Sequence, residues 1–117
     1  MILTRVIGTI RESGITFELV EREAKETASS YVIEKTETRN GRRIAKANYK
    51  WLDNFEAMFG SDWRMAYASW ALPHEIEEQK ATILKALLGY VEHQNKIANL
   101  LNSGVNKYFT KDETLPQ

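Results

Sequence analysis

Residues 51–71 read Trp51-Leu52-Asp53-Asn54-Phe55-Glu56-Ala57-Met58-Phe59-Gly60-Ser61-Asp62-Trp63-Arg64-Met65-Ala66-Tyr67-Ala68-Ser69-Trp70-Ala71, and their reading divides the chain into a strand half and a helical half. Trp51, Leu52, Phe55, Met58 and Phe59 recur at three- and four-residue spacing, and Gly60 supplies a stop. Ser61 or Asp62 can cap a second run in which Trp63, Ala66, Tyr67, Trp70 and Ala71 fall on one helical stripe. The aromatics at 51, 55, 59, 63 and 67 could belong to one continuous helix. A strict four-residue repeat drifts by about 40° per step on such a helix, however, and Gly60-Ser61 interrupts it. The spacing therefore predicts two short aromatic helices set at an angle.

Upstream, the pattern is that of strands. Ile2 to Ile10 is rich in β-branched residues, Glu12-Ser13-Gly14 is a turn, and Ile15 to Leu19 alternates apolar with polar. After a polar stretch from Glu21 to Ser30, a third strand is expected over Tyr31–Thr38 and a fourth from Arg42 to about Tyr49, joined by Arg39-Asn40-Gly41. A two-residue loop sets Lys35 against Lys46. A three-residue loop sets Glu34 against Lys46 and gathers Tyr31, Ile33, Ala45, Ala47 and Tyr49 on one face, so it is the preferred register.

Downstream, Pro73 followed by Glu75, Glu77 and Glu78 marks a helix start, and the helix is expected to run to about Asn102 with Gly104 as its stop. Ile76, Ile83, Leu84, Leu87, Leu88, Tyr90, Val91, Ile97, Ala98, Leu101 and Val105 make a wide apolar stripe opposite Glu78, Lys85, Glu92 and Lys96. Such a helix is roughly 45 Å long, whereas a globule of this size is roughly 35 Å across. Part of it should extend past the core and associate. The expected interface residues are Ile83, Leu87, Tyr90, Ile97 and Leu101, and the expected partner is a second copy, with a dimer favoured, or another protein.

The fold class that follows is α+β, with a four-stranded antiparallel sheet of two hairpins, two short aromatic helices and one long C-terminal helix. One domain spans 1–105, divided into a sheet half at 1–49 and a helical half at 50–105, and residues 106–117 form a flexible tail.

The chain has 117 residues, no cysteine and 16 basic against 16 acidic side chains. Disulfide frameworks, thiolate metal sites and cysteine nucleophiles are thereby excluded. No apolar run approaches the roughly 20 residues that span a bilayer, and no basic leader precedes the first strand, so a soluble cytoplasmic protein without a membrane partner is expected. The zero net charge is unevenly spread: residues 39–50 carry net +5 and residues 51–79 net −5.

That positive block, Arg39, Arg42, Arg43, Lys46 and Lys50, with Tyr31 and Tyr49 beside it, is the candidate binding surface, and single-stranded DNA or RNA is its alternative partner. The isoelectric point near 6.7 is low for a nucleic-acid module. The chemistry available for catalysis is sparse. His74 with Glu77 and Glu78 has a spacing that could hold a metal but reads better as a solvated first turn, and His93 lies on the polar face of the same helix. The pairs Asp53/Glu56 and Glu75/Glu78 are explained as helix-start acids. No nucleotide, hydrolase or metalloprotease signature occurs. The expectation is a non-catalytic assembly factor, regulator or inhibitor with no catalytic residues, metal or cofactor.

Overall fold

A computed structural model describes residues 1–11, 14–59 and 62–111, with side chains described at 1–11, 14–55 and 65–96. The chain divides into two compact units, Met1–Leu87 and Leu88–Gln117.

The first unit is built on an antiparallel sheet of six strands that curls on itself: β1 (Ile2–Arg11), β2 (Gly14–Glu26), β3 (Ser30–Ile33), β4 (Arg42–Ala45), β5 (Asp53–Phe59) and β6 (Asp62–Ala71). Their order is β4-β3-β2-β1-β6-β5. A single-turn 3₁₀ helix (Pro73–Glu75) then leads into α1 (Ile76–Lys111). The α+β class and the long C-terminal helix stand, while the sheet has six strands rather than four and continues to Ala71 rather than ending near residue 49.

The two expected aromatic helices are the strands β5 and β6. Chain break and element type separate here: the interruption at positions 60 and 61 falls between the strands, whose register closes at Phe59 opposite Asp62. For β6 the reason is burial on both faces. Strand β6 lies between β1 and β5, and Met65, Ala66, Ala68, Ser69, Trp70 and Ala71 are all buried. A strand with no solvent face is apolar at nearly every position and so satisfies a helical period as well as a period of two. Tertiary packing decided the element, over the helix propensity of its alanines.

Strand β2 runs well past Leu19 because it serves two neighbours in turn. Gly14 to Glu23 pair with β1, from Arg11↔Gly14 to Ile2↔Glu23, and Ala24 to Glu26 pair with β3. Its polar residues at 21–23 conceal a two-residue rhythm in which Val20 and Arg22 are half-buried and Ala24 is buried.

The β3–β4 hairpin is also corrected. Tyr31 lies opposite Ile44 and Ile33 opposite Arg42, so the connection spans residues 34–41 and Glu34 does not oppose Lys46. The observed register brings Ile44, the one large aliphatic side chain of residues 42–50, onto the face that buries Tyr31 and Ile33. A three-residue loop would have turned Ile44 outward. The longer loop is tied back by Arg22, whose guanidinium donates to the carbonyls of Glu34 (3.1 Å) and Asn40 (3.0 Å).

The two faces of the sheet carry separate cores. On one face, Leu3, Ala24, Tyr31, Ile33, Ile44 and Trp70 form one cluster, joined by Tyr49 and Leu72. On the other, Val6 and Ala71 pack with Ile83 and Leu87 of α1, joined by Ile10, Ile15, Leu52, Tyr67 and Ile76. Helix and sheet meet closely at Gly8, where a Cβ would lie 2.4 Å from Ile83 Cγ2, 3.0 Å from Phe17 Cε1 and 3.2 Å from Leu87 Cδ1. Only a glycine lets the helix approach that far. Gln79, one helical turn before Ile83, is buried on the same stripe and accepts a 2.8 Å hydrogen bond from the Ser69 hydroxyl.

The second unit is the remainder of α1, which continues through Gly104 to Lys111 rather than stopping near Asn102. Among the described residues, no helix is long and apolar enough to cross a membrane.

Candidate functional site

The basic segment 39–50 begins in the 34–41 loop, forms the edge strand β4 and then turns back toward β5. Its five cations have unequal fates. Lys46 pairs with Glu26 at 2.7 Å and stands 5.4 Å from the Tyr31 ring centre. Lys50 pairs with Glu75 and lies 3.9 Å from Glu78. Arg39, Arg42 and Arg43 are exposed, and among the described residues their guanidinium groups form no ion pair. Among the five cations of this segment, the three arginines are the ones free for a partner.

The aromatic residues chosen with them are occupied too. Tyr31 is only 6% exposed and meets Tyr49 edge-on, with ring centres 5.2 Å apart. The Tyr49 hydroxyl donates to both Glu75 carboxylate oxygens, at 2.8 and 2.9 Å. Neither ring is presented for stacking.

Glu75 is the hub of this region, which its reading as a helix-start acid missed. It is 7% exposed, and its carboxylate accepts from Tyr49, from Lys50 and from the Leu72 backbone N–H at 3.0 Å. Burial alone pushes its pKa up, but the Lys50 ammonium, the Leu72 N–H and the Tyr49 hydroxyl outweigh that and hold it below the usual carboxylate range. Burial and the bond to Glu75 push the Tyr49 hydroxyl well above its ordinary value, and the bond to Glu75 raises Lys50. A carboxylate with its lone pairs so committed is a clamp, fastening residues 49–50 to the start of the helical segment.

Immediately beside the clamp is a pocket of about 150 Å³ lined by Arg42, Ile44, Asn48, Tyr49, Trp51, Asp53 and Trp70. It draws on both edge strands of the sheet and on the segment that joins them. Register puts Arg42 on the same face as Tyr31, Ile33 and Ile44. Asp53 accepts from Arg5 at 3.0 Å, and the Arg5 guanidinium also lies 5.2 Å from the Trp70 ring centre. Trp51 is 70% exposed, and the buried Trp70 indole N–H has no hydrogen-bond partner. Trp51 and Trp70 were read as helix core. No signal in the sequence sets Trp51 apart, because its spacing to Leu52 and Phe55 is that of a core stripe.

The proposed association residues fall in different places. Ile83 and Leu87 are wholly buried against the sheet and so are committed within the chain. Tyr90 is half-buried, and the side chains of Ile97 and Leu101 lie outside the described residues. Of the metal-spaced group, His74 is exposed and Glu77 pairs with Lys80 at 3.4 Å. His93 is exposed, and the Glu56 side chain lies outside the described residues. Among the described residues, no three His, Cys, Asp or Glu side chains gather as a metal site would require.

No family model, no curated protein and no solved structure matches the chain.

Proposed function

We propose that the protein is a non-catalytic interaction protein that self-associates through the part of α1 from Leu88 onward, the partner being a second copy. The observation that carries this reading is that the Leu88–Gln117 unit has a single described element, one helix, and so nothing of its own to bury an apolar stripe against. A helix of mixed sequence is marginal in water and draws most of its stability from packing. The stripe is present in the sequence: Ile83 and Leu87 are followed at heptad spacing by Tyr90, Gln94, Ile97, Leu101, Gly104 and Tyr108, the 3–4 alternation that pairs helices side by side, apolar at all but Gln94 and Gly104. Zero net charge leaves no overall repulsion between copies. The committed state of the two best-placed acids, Asp53 on Arg5 and Glu75 on its three donors, supports a structural rather than a catalytic use of both.

The test is the concentration dependence of thermal unfolding. Association of folded copies raises Tm with protein concentration by mass action. Ile97→Asp/Leu101→Asp should abolish that dependence while preserving the sheet signal in circular dichroism. A Tm that is flat over a hundredfold concentration range in the unmodified chain would overturn the reading.

A further inference from the structure

We infer that the Arg42–Trp51–Trp70 pocket is a nucleobase site, taking one unstacked pyrimidine of a single-stranded nucleic acid with the ring on Trp51 and an adjoining phosphate on Arg42. Four observations converge on it. Trp51 stands 70% exposed on the pocket wall. A large flat ring left in water is unusual for a residue that normally buries most of its area, and it offers the sequence-tolerant π-surface on which bases stack.

The second observation is electrostatic. Arg42 is the pocket's uncommitted charge, because Asp53 is already neutralised by Arg5. The site is therefore net positive and calls for an anion. Arg39, exposed and three residues before Arg42, lies in the loop that leads into this edge strand, so a phosphate chain on the pocket side can meet a second cation without displacing an ion pair, whereas register turns Arg43 to the opposite face of the sheet.

Size is the third. About 150 Å³ is the volume of a cavity that accepts a single benzene-sized ring, and it is well below the roughly 300 Å³ at which sites for drug-sized ligands begin. A pocket of that size takes one pyrimidine ring and leaves its sugar and phosphate outside, within reach of the exposed Arg42 on the pocket wall. Fourth, the wall carries a polar group able to meet a base edge: the amide of the exposed Asn48 offers donors and an acceptor. The sequence had pointed to this stretch for its charge but had assigned the stacking to Tyr31 and Tyr49, which the core and the clamp consume.

The experiment is a titration of the intact chain with oligothymidylate of eight nucleotides at low ionic strength, read by tryptophan fluorescence and by anisotropy of a labelled strand. The expected result is saturable quenching that weakens as salt is added. Trp51→Ala should remove the quench and weaken binding tenfold or more, as loss of one base–aromatic stack does. Arg42→Ala should weaken it by a comparable factor and Arg39→Ala by less than threefold. Both Trp51 and Arg42 are exposed, so these variants should keep the unfolding midpoint of the parent. Any of three results overturns the inference: no binding at low ionic strength, equal binding by Trp51→Ala and the parent, or oligoadenylate binding as tightly as oligothymidylate. Trp51-dependent quenching by a glutamate-rich peptide with one phenylalanine, with none by oligothymidylate, also overturns it and assigns the site to acidic peptides.

Discussion

Replacing Glu75 should open the clamp that fixes residues 49–50 to the start of the helical segment. The carboxylate is 7% exposed and takes the Tyr49 hydroxyl at 2.8 and 2.9 Å, the Leu72 N–H at 3.0 Å and the Lys50 ammonium. Glu75→Ala strands a part-buried hydroxyl and a backbone N–H. Leaving a buried donor without its acceptor costs about 1–3 kcal/mol, and two donors are stranded here, while the Lys50 ammonium, 35% exposed, is rehydrated. The expected loss is about 2–4 kcal/mol, a large fraction of the roughly 5–15 kcal/mol that holds a domain together. Glu75→Gln keeps one acceptor oxygen and should lose about 1–3 kcal/mol.

The pH dependence separates the clamp from mere packing. Glu75 is held below the ordinary carboxylate value of 4.5, so its contribution is present above that value and is lost as pH falls through the lowered folded one. Tyr49 and Lys50 are raised above 10.0 and 10.5, so theirs is present below those values and lost as pH rises through the raised ones. Urea unfolding of the parent should therefore show stability falling at both ends, and in Glu75→Gln the acid limb should flatten. A midpoint change equivalent to less than about 0.5 kcal/mol in Glu75→Ala, the scatter of an ordinary surface substitution, would refute the assignment of the clamp.

Three further outcomes follow from the packing. Gly8→Ala places a methyl 2.4 Å from the buried Ile83 Cγ2, and the overpacking should cost about 1–3 kcal/mol in urea unfolding, where a bare glycine-to-alanine change would stabilise. Gln79→Ala leaves the buried Ser69 hydroxyl without its acceptor and should cost about 1–3 kcal/mol by the same measurement, whereas Gln79→Ala/Ser69→Ala should recover part of it. Thr4 is buried with a hydroxyl that has no partner, so Thr4→Val, of nearly equal shape, should leave Tm unchanged or raise it, and a fall of several degrees would show that the hydroxyl is in use.

How far the fold was legible depended on whether each element has a solvent face. The β1–β2 hairpin was readable because Ile15 to Leu19 alternate and the turn at 12–14 is explicit, and α1 was readable because its charged face is continuous. Strand β6 was misread as a helix because it is buried on both sides, which erases the period that tells strand from helix, and β5 because Phe55, Met58 and Phe59 also fit a helical stripe. The β3–β4 register was misjudged for a different reason. A charge pair, Glu34 with Lys46, was weighed above the burial of Ile44, although an exposed pair is worth at most about 1 kcal/mol and a buried isoleucine side chain about 1.5–3 kcal/mol. At the candidate site, the basic block was visible from composition alone. Which cations stay free was not, because Glu26, Glu75 and Glu78, the acids that neutralise Lys46 and Lys50, come from distant parts of the chain. Trp51 was hidden in the same way: its spacing matches a core helix, and only the fold shows it exposed.

The most direct test of the self-association account is the mass of the intact chain by sedimentation equilibrium across a range of concentrations. The account predicts a mass that rises from 13.5 kDa toward twice that value as concentration increases, and that stays at 13.5 kDa in Ile97→Asp/Leu101→Asp. A mass of 13.5 kDa at every concentration of the unmodified chain would contradict it.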